Sequence, residues 1–141
     1  MKVGFIGLGI MGRPMAKNLV KAGVELLVND DFAKAAVEEV VAAGAKEATY
    51  AEIGAECERI ILMVPSGDIS KSILFGEGGV ASTIKPGAIV CDMSSVTPVE
   101  SQECYNGLKE KGAGFIDAPV SGGEPGAINA SLAIMAGGDK E

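Results

Sequence analysis

Three glycines close to the first residue have the spacing of a loop that holds phosphate groups. Gly7, Gly9 and Gly12 form the pattern G-x-G-x-x-G, with Ile10 and Met11 between the last two. In such a loop the first glycine permits a tight turn, the second lets a pyrophosphate approach the backbone, and the third lets a helix pack closely on a strand. Backbone N–H groups at the start of that helix then face the phosphates. These five residues are therefore predicted to bind the pyrophosphate of a dinucleotide.

An acidic residue, Asp30, follows this loop at the spacing expected of a dinucleotide-binding motif. Asp30 follows Gly12 by about 20 residues, the spacing at which a carboxylate at the end of a second strand binds the ribose hydroxyls. A carboxylate repels a 2′-phosphate, and Asp31 adds to that repulsion, so the sequence favours NAD as cofactor. NADP is the alternative, because Arg13 or Lys34 could reach a phosphate. On this assignment Asp30→Ala weakens NAD binding and leaves NADP binding little changed, although Asp30 could also cap a helix.

Two further loops are expected at the same edge of the fold. Val64 and Pro65 end one apolar run, and Ser95 closes the segment Asp92-Met93-Ser94-Ser95 that ends another. Doubly wound folds bind their ligands at the carboxyl ends of parallel strands. The hydroxyl of Ser95 could bond a nicotinamide amide, although a turn or capping role suits these serines equally well.

A third segment combines a hydroxyl with two glycines. Ser121, Gly122 and Gly123 precede Glu124 and Pro125, with the Ser-x-x-Glu spacing of a helix start. Consecutive N–H groups at this place could hold the carboxylate of a substrate. The residues by themselves favour a simple turn.

Six apolar runs alternate with helical stretches, and these elements would position the motifs at the carboxyl ends of the strands. Most of the runs lack polar alternation, as expected of parallel strands that are covered on both faces. Helices are marked by Thr97-Pro98 and by Phe32 to Ala43, which ends at Gly44. The alternation predicts an α/β fold, a Rossmann-like, doubly wound and mostly parallel sheet with helices on both faces. The predicted strands are Lys2–Gly7, Glu25–Asn29, Arg59–Pro65, Ala88–Asp92, Gly114–Pro119 and Ser131–Ala136.

Length and composition narrow the class of protein. The 141 residues suit one domain, residues 1–141, and the net charge of −7 argues against nucleic acid or an anionic membrane as partner. Three cysteines without a C-x-x-C, and no histidine, argue against a disulfide framework or a metal site. The cysteines are expected to be small buried groups in a cytoplasmic protein. We expect no signal peptide, and no apolar run approaches the ~20 residues of a membrane span.

Together these segments resemble the β-hydroxyacid dehydrogenase family, which includes 3-hydroxyisobutyrate dehydrogenase and 6-phosphogluconate dehydrogenase-like enzymes. The resemblance covers the whole chain. It is carried by the N-terminal fingerprint Gly4 to Leu19, the inner motifs Asp92 to Ser95 and Asp117 to Gly123, and the last segment, Leu132 to Gly138. Within the family the chain is most similar to the 2-hydroxy-3-oxopropionate (tartronate semialdehyde) reductases, notably over Ser121 to Pro125.

The resemblance implies an oxidoreductase that interconverts a small β-hydroxyacid and its oxo acid or semialdehyde with NAD(P). It implies that Ser95 contacts the nicotinamide end of the cofactor and that Val64 and Pro65 contact its ribose region. Residues Ser121 to Gly123 would bind the substrate carboxylate. Asp31 stands where NADP-using relatives carry arginine, which supports NAD.

No residue of this chain matches the family's catalytic lysine. That lysine and a helical domain are expected beyond Glu141, so the resemblance implies a homo-oligomer only for the full-length enzyme. Hydride transfer to a carbonyl needs a proton donor, and we expect this chain to bind dinucleotide yet be inactive by itself. Two other hypotheses stay open, a non-catalytic dinucleotide-binding module and an imine-reducing relative.

Overall fold

Five of the apolar runs and two short strands without an apolar signal form a central sheet of seven strands within the described residues. Its strands are β1 (Lys2–Ile6), β2 (Glu25–Asn29), β3 (Lys46–Glu47), β4 (Arg59–Leu62), β5 (Ile89–Asp92), β6 (Gly114–Asp117) and β9 (Gly137–Gly138); β7 (Val120–Ser121) and β8 (Ala133–Ile134) pair separately. This is a computed structural model, and it describes residues 2–9, 12–30, 33–64, 67–94, 98–117, 120–121, 133–134 and 137–138. The order in the sheet is β3-β2-β1-β4-β5-β6-β9. The first six are parallel, and β9 is antiparallel to β6.

The strand order reverses between β1 and β4. From β1 the chain moves outward through β2 and β3, and it then returns to place β4 on the other side of β1. At such a point the connections that leave the two neighbouring strands go to opposite faces of the sheet, which opens a crevice at the carboxyl edge. The segments that begin at Gly7 and Met63 follow β1 and β4 at this edge.

Local sequence signals set several helix ends. Thr49 accepts a hydrogen bond from the Glu52 N–H, and the Glu52 carboxylate accepts one from the Thr49 N–H, which is a capping box. Gly44 ends a helix with a φ of 130°. Pro98 is the first residue of its helix, as predicted. The helices are α1 (Gly12–Lys21), α2 (Lys34–Ala43), α3 (Tyr50–Glu56), α4 (Gly67–Phe75) and α5 (Pro98–Lys109), with a 3-10 turn at Val80–Ser82.

The core has two layers, one on each face of the sheet. Because successive strand residues point to opposite faces, Phe5 belongs to the layer under α1 and α2, whereas Ile6 belongs to the layer under α3, α4 and α5. Both side chains are at most 1% exposed. Burial on both faces explains why the strands lack polar alternation, and the predicted doubly wound fold is confirmed.

The last predicted strand was assigned to the wrong sheet. Within the run Ser131–Ala136, the described residues Ala133–Ile134 form β8, which pairs antiparallel with β7 and not with the parallel sheet. A parallel neighbour needs a crossover of a dozen or more residues, whereas only 11 residues separate the end of β7 from the start of β8, which suits the antiparallel pairing. β3 was missed because Lys46 and Glu47 are charged and exposed, which gives no apolar signal.

None of the helices in the described ranges is both long and apolar enough to span a membrane. The three cysteines, which all lie within these ranges, form no disulfide. Cys57 and Cys104 are buried, as expected, whereas Cys91 is only partly buried. Burial and, secondarily, the Glu56 carboxylate raise the pKa of the Cys57 thiol to about 11.

We predict that Cys57 resists alkylation in the folded protein. At pH 8 a thiol with this raised pKa stays protonated, and the thiolate is the reactive form. Labelling followed by peptide mass spectrometry should therefore modify Cys57 only when denaturant unfolds the chain. Fast labelling of Cys57 without denaturant would contradict its place in the core.

Candidate functional site

Backbone hydrogen bonds fix where the chain leaves β1 and β4. The Gly7 N–H donates to the Asn29 carbonyl at 3.1 Å, and the Met63 N–H donates to the Ile6 carbonyl at 2.9 Å. Each bond extends the pairing with the neighbouring strand by one residue beyond the end of β1 or β4. The two segments that border the crevice therefore start from set positions relative to each other.

The three glycines of the loop meet different steric requirements. Gly7 has a φ of +102°, and a Cβ there would overlap the Met63 carbonyl oxygen. A Cβ at Gly12 would overlap the carbonyl oxygen of Gly7, so α1 packs directly on the end of β1. Gly9 differs, because a Cβ there would find no described atom within 4 Å. Two glycines thus allow close packing, and the third faces open space.

The open space at Gly9 lies next to the start of α1. The Arg13 N–H donates to the Gly9 carbonyl at 3.0 Å, so the loop enters the first turn of the helix directly. That turn contains no acidic residue, and the N-terminus of this ten-residue helix carries partial positive charge. An anion that needs room at the backbone suits this place, as a pyrophosphate does. Gly7, Gly9 and Gly12 would hold such a group through the backbone alone.

The carboxylate of Asp30 is bonded to two separate backbone segments. Asp30 is 9% exposed, and its Oδ2 accepts a hydrogen bond from the Leu8 N–H at 2.6 Å. Its Oδ1 accepts one from the Ala33 N–H at 3.0 Å, just before α2. The N-cap residue of α2 is Ala33, which has no side-chain cap, so the N-cap role that the sequence allowed for Asp30 is wrong. The bond from the glycine loop to Asp30 was not foreseen. A carboxylate oxygen can accept two hydrogen bonds, so both contacts are compatible with binding ribose hydroxyls.

The cations at the start of α1 are paired with an acid on α2. Arg13 lies 3.1 Å from the Glu39 carboxylate, and Lys17 contacts the other oxygen of the same group. The hydrogen bond from Lys17, with its charge and that of Arg13, lowers the pKa of Glu39. All three side chains are well exposed, so each pair contributes little to stability. The pairs do place the Arg13 guanidinium against α2.

A set of buried polar groups joins the ends of β4 and β5. The Val64 N–H donates to the Ser94 Oγ at 2.8 Å, and the Ser94 N–H donates to the Asp92 Oδ1 at 3.0 Å. Ser94 is fully buried and Asp92 is 1% exposed. The sequence left a turn or capping role open for these serines, and the bond from the Ser94 N–H to the Asp92 side chain two residues earlier is typical of such a turn. The sequence did not show that Ser94 reaches the neighbouring strand.

The structure brings together five of the predicted site residues at the carboxyl edge, namely Gly7, Gly9, Gly12, Asp30 and Val64. Ser121 lies in β7, opposite Ala133 in the small second sheet. The remaining predicted site residues fall outside the described ranges; these are Ile10, Met11, Pro65, Ser95, Gly122 and Gly123.

We predict opposite effects for alanine at two of the loop glycines. Gly12→Ala should lower the free energy of unfolding by about 3 kcal/mol, because the new Cβ meets rigid backbone. Gly9→Ala should change it by less than about 1 kcal/mol, yet weaken dinucleotide binding at least about tenfold, because its Cβ enters the open space. Urea unfolding and calorimetric titration measure the two quantities. Equal binding by Gly9→Ala and the unaltered protein would contradict a pyrophosphate at Gly9.

Comparison with known proteins agrees with this geometry. A family model for the NAD binding domain of 6-phosphogluconate dehydrogenase matches residues 2–141. The 2-hydroxy-3-oxopropionate reductase of Escherichia coli is 43% identical over 141 residues, which cover 99% of this chain and 48% of that protein. The mitochondrial 3-hydroxyisobutyrate dehydrogenase of Rattus norvegicus is 40% identical over 136 residues, with 96% and 41% covered.

Solved structures show the same fold. The 3-hydroxyisobutyrate dehydrogenase of Mycobacterium tuberculosis, solved with L-serine, matches with a TM-score of 0.90 and 34% identity. The match covers 99% of this chain and 47% of that one. The chain thus spans about half the length of the relatives it matches. It belongs to the β-hydroxyacid dehydrogenase family, as an NAD-binding domain of the 6-phosphogluconate dehydrogenase type.

Proposed function

We propose that this chain is the cofactor-binding part of an NAD-preferring oxidoreductase that interconverts a small β-hydroxyacid and its oxo acid or semialdehyde. The observation that carries the proposal is the crevice between β1 and β4, where Gly9 leaves space beside the start of α1. When bound there, the nicotinamide would accept or supply the hydride. The chain's own residues bind and orient the dinucleotide.

The charges around the crevice support a preference for NAD. Asp30 stands at the end of β2, and Asp31 follows it in the sequence. Two carboxylates in this region repel a 2′-phosphate. Arg13, which could have bound that phosphate, is paired with Glu39.

The substrate is proposed to be 2-hydroxy-3-oxopropionate or a compound like it. The 2-hydroxy-3-oxopropionate reductase is 43% identical to the chain, and the 3-hydroxyisobutyrate dehydrogenase is 40% identical to it. The observation that supports this substrate more specifically is the segment Ser121 to Pro125, whose hydroxyl and glycines suit the binding of a carboxylate. The proton for the developing alkoxide would come from a lysine outside these 141 residues.

A non-catalytic dinucleotide-binding module is the second candidate. Its support is that no residue of this chain matches the family's catalytic lysine, and the sequence contains no histidine that could replace it. A substrate-binding segment would have no use in such a module, whereas the oxidoreductase needs one. We therefore favour the oxidoreductase.

We predict that calorimetric titration of this chain shows NAD binding about tenfold tighter than NADP binding, a difference of about 1.4 kcal/mol. Asp31→Arg should reverse the preference, because it replaces a repelling charge with an attracting one. Asp30→Asn should weaken both cofactors, since the Leu8 N–H loses a charged acceptor that holds the loop. The sequence alone predicted that loss of the Asp30 carboxylate weakens NAD binding and leaves NADP binding little changed. The bond to the Leu8 N–H changes that expectation.

The control for these variants is Glu25→Gln, which removes an exposed acid at the start of β2, at the opposite edge of the sheet. It should leave both affinities unchanged. Binding of neither cofactor by the unaltered chain would refute the proposed function. Binding with a preference for NADP would refute only the assignment of NAD.

A further inference from the structure

Val64 lies where the segment that leaves β4 meets the start of the glycine loop. The Met63 N–H still pairs with β1, and the Met63 carbonyl lies against Gly7. The Val64 side chain approaches Gly7 as well, with its Cγ1 3.0 Å from the place of a Cβ on that glycine. The segment that leaves β4 is therefore in contact with the start of the glycine loop.

The pairing of β4 and β5 ends just before this segment. Leu62 is opposite Asp92, and the Met93 N–H donates to the Leu62 carbonyl at 2.8 Å. One residue further on, the Val64 N–H donates to a side chain, the Ser94 Oγ, at 2.8 Å. The Ser94 hydroxyl thus continues the connection between the two strands where the backbone ladder stops.

Ser94 is itself held in place. Its N–H donates to the Asp92 Oδ1 at 3.0 Å, and both residues are buried. A hydroxyl on such a fixed residue has a defined position, so it can set the direction in which the chain leaves β4. Alanine at this position would leave the half-buried Val64 N–H without its acceptor, which favours a shift of the segment toward water.

We propose that Ser94 is a positioning residue for the nicotinamide half of the cofactor. It aligns the segment at Val64 with the start of the glycine loop, and it fixes the point from which the chain continues to Ser95. This inference rests on the proposed function, because it takes the crevice to be the dinucleotide site. It differs from the role of Asp30, which bonds the loop at the adenosine side.

The test compares two ligands that share the adenosine half. NADH also carries the nicotinamide and its ribose, whereas ADP lacks both. In calorimetric titrations of this chain, Ser94→Ala should weaken NADH binding about tenfold and ADP binding less than about twofold. Ser94→Cys keeps a weak acceptor of similar shape and should bind NADH with intermediate affinity. Amide hydrogen exchange at Val64 in the ligand-free protein should be faster in Ser94→Ala.

The matched control is Ser82→Ala. The Ser82 hydroxyl donates to the Gly79 carbonyl at 2.6 Å in the 3-10 turn before β5, away from the carboxyl edge. Its loss should leave both affinities and the exchange at Val64 unchanged. Because Ser94→Cys keeps a polar group, it also provides the comparison if Ser94→Ala folds poorly.

The possible outcomes distinguish the positioning role of Ser94 from the proposed function. If the unaltered chain binds both ligands and Ser94→Ala binds NADH equally well, the positioning role is refuted and the proposed function stands. Equal weakening of NADH and ADP would also refute it, since a general loss of structure acts on both ligands. If the unaltered chain binds neither ligand, the proposed function fails and the role of Ser94 fails with it.

Discussion

The close approach of α1 to the end of β1 is the contact on which the site depends. The carbonyl oxygen of Gly7 occupies the space that a side chain at residue 12 would need, and the Met63 carbonyl does the same at Gly7. These two contacts bring the end of β1, the end of β4 and the start of α1 into one small region. The positive end of the helix then faces a space that no described side chain fills. Packing at two glycines thus creates the opening at the third.

The electrostatics of the site are local and do not reflect the charge of the whole chain. A protein with a net charge of −7 binds an anion poorly through its general field. Backbone N–H groups and a helix end provide the favourable charge instead. The carboxylate of Asp30 is bonded to the backbone at Leu8 and Ala33, so it holds the glycine loop against the start of α2. Glu39 engages Arg13 and limits what that cation can contact.

Much of this fold could be predicted from the sequence because its signals are local. The glycine spacing, five of the six apolar runs and the start of α5 at Pro98 each depend on a few adjacent residues. What could not be predicted depends on partners far apart in the chain. β3 is charged and exists only because β2 offers an edge, β8 pairs with β7 and not with the main sheet, and Ser94 acts through Val64, thirty positions earlier.

The most direct test of the account is to map where NAD binds, using the backbone amide signals of the chain by nuclear magnetic resonance. If the site is the crevice at the carboxyl edge, titration with NAD should shift the amides of Leu8, Gly9 and Val64 most strongly. Amides where the strands begin, such as those of Lys2 and Arg59, should stay in place, because they lie at the opposite edge of the sheet. Shifts concentrated at those strand starts, with Gly9 unchanged, would contradict the central claim.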